Sequence, residues 1–122
     1  KVFLINICSV FEKIEKKFGC KIVIACSGKY KYEDDQIYDG RKMYYGKTHQ
    51  LIKNAELVIG HNSTGLYQGV IDRKKIITFT DPTLSDYKNF HTIEFSKMLN
   101  VKSFNTVNFS FSLFIFILQF LT

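Results

Sequence analysis

Apolar positions along the chain recur with two different periods. Val10, Phe11, Ile14 and Phe18 return at helical spacing, with Glu12, Lys13, Glu15, Lys16 and Lys17 between them. That spacing predicts an amphipathic helix over 10–18, closed by Gly19 where a C-cap glycine belongs. The next apolar run, KIVIAC at 21–26, is continuous and rich in β-branched residues, and it ends in Ser27-Gly28. It reads as a buried strand. Residues 27–38 are polar and Tyr-rich and read as a loop. Helical spacing returns over 48–55, with Leu51, Ile52 and Ala55 inward, followed by a second buried strand, ELVIG at 56–60. After the polar break of His61, Asn62, Ser63 and Thr64 comes GLYQGVID at 65–72, a short helix whose glycines allow close packing on a sheet. KIITFT at 75–80 is a third strand, ended by Asp81-Pro82, since the residue before proline avoids the α region. A less periodic helix is expected over 85–98.

Strands alternating with helices imply right-handed crossovers and a mostly parallel sheet. The fold class expected is α/β, a Rossmann-like, mostly parallel sheet flanked by helices. Ligands are then expected beyond the carboxyl ends of the strands. The pattern divides the chain into a Rossmann-like domain over 1–102 and a tail over 103–122. That tail has no charged residue and is dense in Phe, Leu and Ile. It is about half as long in apolar residues as a membrane-spanning helix needs. Three readings of it are open: a buried terminal element, a surface that meets a missing domain, or an edge in peripheral contact with a membrane.

Composition narrows the picture only a little. An apolar share of 46% against 23% charged excludes a mainly disordered chain or a plain coiled coil. The net charge of +6 fits a solvated basic surface or a phosphate-bearing partner. Basic and aromatic residues do not alternate as an RNA-binding sheet requires, so nucleic acid is not an expected partner. Cys8, Cys20 and Cys26 form neither a CxxC pair nor a zinc framework, and a reducing cytoplasmic compartment is expected. The chain starts at Lys1 rather than Met, which is compatible with a piece of a longer protein.

The sharpest chemical feature is ELVIGHNSTG at 56–65. A buried strand ends in His61, small polar residues follow, and a helix begins. Ser63 or Thr64 can cap that helix, and its free amides, with the two hydroxyls, can hold a phosphate. Gly65 has no Cβ to keep an anion away. His61 can donate to a phosphate oxygen or act as an acid or base near neutral pH. The alternative is an ordinary helix cap with no ligand and a locally bonded histidine.

The stretch YGKTHQLIKNAELVIGHNSTGLYQGVIDRKKIITFTDP, 45–82, resembles the nucleotide-sugar-binding half of GT-B-fold glycosyltransferases, particularly those of bacterial capsule and surface-polysaccharide biosynthesis. The matching features are Thr48 before a helix, the turn with His61, Ser63 and Thr64, a small-residue helix over 65–70, and Lys75 leading an apolar strand. The resemblance implies one half of a GT-B fold and sugar transfer from a nucleotide-activated donor. Asn62, Ser63, Thr64 and Gly65 would cradle the diphosphate, and His61 would support the phosphate or leaving group. Lys47 and Thr48 are secondary binding candidates, and Asp81 would touch ribose or sugar hydroxyls. The family generally uses no bound metal, and the nucleotide-sugar serves as donor substrate, so no further cofactor is implied. A GT-B enzyme has two Rossmann-like domains, and this chain has room for one. A missing N-terminal domain or a partner chain is therefore implied, together with a glycan acceptor and a place at the cytoplasmic face of the membrane. The alternatives are a nucleotide-sugar epimerase-like enzyme and a non-catalytic fragment or binding subunit that docks through its apolar tail.

Other motifs carry less. Gly46-Lys47-Thr48 lacks the first glycine of a P-loop, since Arg41 stands there. Glu33, Asp34 and Asp35 lie in a Lys/Tyr-rich loop, and His49, His61 and His91 are scattered without zinc-ligand spacing, so no metal site is expected. Ser63 is not in a GxSxG context, which leaves a hydrolase elbow unsupported.

Overall fold

A computed structural model describes residues 2–28, 31–34, 36–61 and 65–108. Among these, the chain forms α1 (Val2–Phe18), β1 (Ile24–Cys26), β2 (Met43–Tyr45), α2 (Thr48–Asn54), β3 (Leu57–Gly60), α3 (Gly65–Ile71), β4 (Lys75–Thr80), α4 (Asp86–Leu99) and β5 (Lys102–Asn105). A 3-10 turn, Thr106–Asn108, follows. The strand pairings found are all parallel: β1 with β2, and a second sheet in the order β3-β4-β5. The architecture is the Rossmann-like α/β class that the two alternating periods imply.

β4 shows why helices lie on both sides. Successive strand side chains point to opposite faces. Ile77 and Phe79 join Ile7, Val10, Phe11 and Ile14 of α1 and Phe104 of β5 in one buried cluster. Ile76 points the other way, to Leu66 of α3 and Phe95 of α4. Burial on both faces is what makes KIITFT read as an unbroken apolar run. Each wholly buried Ile, Val or Phe contributes about 1.5–3 kcal/mol. Thr78, also on β4, is fully buried and shares a 2.6 Å hydrogen bond with the hydroxyl of Ser96 on α4.

Local signals fix the helix ends. Gly19, after α1, has φ +61, the left-handed conformation glycine adopts without a steric penalty. Ser85 caps α4 by accepting from the Lys88 amide at 3.2 Å, and Asn100 ends that helix at φ 54. α3 lies close on the sheet because two positions lack a Cβ. One added at Gly60 would come within 2.9 Å of Leu66 Cδ2, and one at Gly69 within 3.2 Å of Ile76 Cδ1.

Four elements differ from the sequence expectation. β1 covers only Ile24–Cys26 of the run expected as a buried strand over 21–26, and of these only Cys26 is buried, because the strand pairs with β2 alone. α1 starts at Val2 rather than residue 10, because the run from Val2 to Ile7 is nearly all apolar and hides the helical period; Val2 and Ile5 are in fact exposed and Ile7 is buried. β2 was not expected, since Met43, Tyr44 and Tyr45 are only half-buried and lack a core-strand pattern. β5 crosses the 102/103 boundary drawn from charge. Residues 103–105 of the segment set apart as a tail therefore belong to the sheet and 106–108 to the 3-10 turn after it, with Phe104 and Thr106 buried. Residues 109–122 lie outside the described residues.

Candidate functional site at the carboxyl ends of β3 and β4

β3 and β4 run parallel, with Gly60 paired to Thr78, so His61 and Asp81 follow the same edge of one sheet. His61 is half-buried. Its ring stands 4.9 Å from that of Phe79 on β4 and 5.8 Å, edge-on, from that of Phe3 on α1. Nδ1 is buried and has no hydrogen-bond partner among the described residues. Burial holds the imidazole below its ordinary pKa, and the nearby positive charge of Lys88 adds to this. At neutral pH the ring is therefore neutral, with one nitrogen able to donate and the other to accept. It suits hydrogen bonding to an anion better than carrying charge.

Asp81 takes a different place from the one expected of it. Its carboxylate is wholly buried and accepts from Asn6 Nδ2 at 3.1 Å, from the Thr83 amide at 2.8 Å, and from the hydroxyls of Thr83 and Thr106. Its backbone exchanges two further bonds with the Asn89 side chain. Burial pushes the carboxyl up, but the bonds from Thr106, Thr83 and Asn6 outweigh this and hold it below the ordinary range. With its oxygens so engaged, Asp81 ties α1, the 3-10 turn and the loop before α4 together at the sheet edge instead of facing a sugar.

Lys47 and Thr48 stand where β2 gives way to α2, in the other sheet. Lys47 is exposed and occupies the N-cap position without a side-chain cap, and Thr48 is half-buried. No hydrogen bond or ring contact joins them to His61 among the described residues. Gly65 opens α3, which has seven residues. Two turns align few peptide dipoles, so an anion there would depend on side chains more than on the helix. Asn62, Ser63 and Thr64 lie outside the described residues.

Lys88 is a residue the sequence pattern did not single out. It belongs to the first turn of α4, and its charge acts on His61. The only local signal was its place three residues after Ser85, whose hydroxyl accepts from the Lys88 amide.

Elsewhere, a cavity of about 360 Å3 lies where the chain enters β1 and β2, lined by Glu15, Ile22, Arg41 and neighbours. Arg41 is forked onto Glu15 at 2.6 and 3.1 Å there, so its charge is already matched. Burial pushes the thiols of Cys8, Cys20 and Cys26 up, away from reactive thiolate. Among the described residues no three His, Cys, Asp or Glu stand together as metal ligands, and no helix is long and apolar enough to cross a membrane. Comparison with protein-family models, curated proteins and solved structures gives no match.

Proposed function

We propose that the chain is the donor-binding domain of a glycosyltransferase, holding a nucleotide-activated sugar for transfer to a glycan in surface-polysaccharide synthesis. One observation carries the reading. Parallel strand β3 delivers His61 to the carboxyl edge of the sheet, α3 begins four residues later at Gly65, and the positive charge of Lys88 bears on His61. Ligands of open α/β sheets bind at that edge. In this reading Ser63 and Thr64 bond the diphosphate through their hydroxyls. The neutral His61 ring, held by Phe3 and Phe79, donates a further hydrogen bond. Lys88 offsets the charge that builds on the departing nucleotide. The acceptor and its activating base belong to a second domain or a partner chain, and the domain works on the cytoplasmic side of a membrane.

Calorimetric titration with UDP-, CMP- and GDP-sugars tests this. Wild type should bind one donor class, and Ser63→Ala/Thr64→Ala should weaken it by about tenfold or more, as expected for losing hydrogen bonds to a charged group. No binding by wild type, or equal binding by the double variant, defeats the proposal. Incubating the donor without acceptor separates the epimerase alternative, which would interconvert the sugar.

A further inference from the structure

α4 carries apolar residues on both sides. Its inner side, with Thr92, Phe95 and Ser96, is buried, and the helix packs on β4 and β5. Its outer side leaves Tyr87, Phe90, Ile93 and Met98 exposed over 69%, 58%, 41% and 71% of their surface. Tyr67 of α3 extends this face. It is 54% exposed, and its ring meets that of Phe95 edge-on at 5.2 Å. At roughly 200 Å2 per large side chain, these five leave on the order of 600 Å2 in water. That is at the upper end of what a monomer ordinarily exposes in one patch, and near the roughly 800 Å2 per partner of a stable interface.

The charges on the same side indicate the occupant. Asp86 opens the helix, Glu94 lies one turn after Phe90, and Lys97 lies about three turns after Asp86, all three exposed on the same outer face. Acid at one end and base at the other make the face complementary to itself when reversed. We infer that α4 is the seam of a two-fold homodimer, in which it packs antiparallel on α4 of a second copy. The two-fold axis passes near His91 and Thr92. Asp86 then meets Lys97 of the partner subunit, Phe90 meets Ile93 of the partner subunit, and Tyr87 meets Met98 of the partner subunit. Every contact occurs twice, as an isologous interface requires. The apolar residues supply the affinity. The exposed ion pairs add little energy but fix the direction, because a parallel arrangement would set Asp86 against its own copy.

Sedimentation of the full chain over a concentration series tests this, with circular dichroism to confirm folding. Wild type should associate to a dimer. Phe90→Asp, at an exposed position, should weaken association by about tenfold or more while the fold is kept. Asp86→Lys and Lys97→Asp should each weaken it severalfold, and the double exchange Asp86→Lys/Lys97→Asp should restore it to within about twofold of wild type. Three results overturn the inference: wild type that stays monomeric up to about 100 μM, well above the Kd of an interface this size; a double exchange no better than the singles; or a monomer that binds anionic lipid vesicles through Phe90.

Discussion

Asp81 offers the most direct test of how the strand-end edge is held together. In Asp81→Ala the acceptor for three side chains is lost. Thr83 is exposed and turns to water, and half-buried Asn6 recovers part of its hydration. Thr106 is only 7% exposed, so its hydroxyl is left as a buried donor without an acceptor. One such group costs about 1–3 kcal/mol, and with the lost charge-assisted bonds the total is about 2–4 kcal/mol. For a domain of this size that lowers Tm by roughly 8–16 °C. Asp81→Asn keeps the volume but turns an amide donor toward other donors, and should cost about 1–3 kcal/mol. The pH dependence separates charge from shape. The folded carboxyl is held below its unfolded value, so its stabilisation is complete above the unfolded pKa of about 3.9 and is lost as pH falls through the folded one. Urea denaturation at pH 7 and pH 3 should show the gap between wild type and Asp81→Asn shrinking in acid. A gap that stays constant with pH, or an Ala variant within about 1 kcal/mol of wild type, refutes the reasoning.

Two further outcomes follow from the same accounting. Arg41 and Glu15 keep only 10% and 25% of their side chains exposed, so Arg41→Ala strips a mostly buried ion pair and should cost about 3 kcal/mol in chemical denaturation. Arg41→Lys should recover less than half, because an ammonium cannot fork onto both carboxylate oxygens, and full recovery would count against the bidentate geometry. His61 should titrate below about 6.5 when followed by imidazole NMR. Its folded pKa is depressed, so its share of stability is complete above the unfolded value and declines as pH falls through the folded one. Lys88→Ala should raise that pKa only partly, because burial is the larger cause; an ordinary or elevated value in wild type rules out a buried neutral ring.

The elements that were legible are those whose own residues decide their state. KIITFT is apolar on both faces and ended by Asp81-Pro82, and β4 occupies the span expected, 75–80. The helix expected over 85–98 is α4, Asp86–Leu99, with Ser85 as its cap. β2 and β5 were not legible, because MYY and KSFN become strands by pairing with β1 and β4 rather than through their own pattern. The site was legible to the same extent. The strand ending at His61 and the helix opening at Gly65 could be read locally. The inward turn of Asp81 could not, because its partners Asn6 and Thr106 are 75 and 25 residues away. Lys88 likewise comes near His61 only through the packing of α4.

The packing of α1 has a consequence for how the chain is made. Its stripe of Ile7, Val10, Phe11 and Ile14 finds cover on Ile77, Phe79 and Phe104. During synthesis α1 leaves the ribosome well before β4 and β5 exist, so that greasy stripe must wait for this cover until those strands are made. Such late closure slows folding and leaves the young chain open to aggregation. Refolding should therefore be slow and sensitive to protein concentration, and a chaperone that shields α1 would help most before β5 emerges.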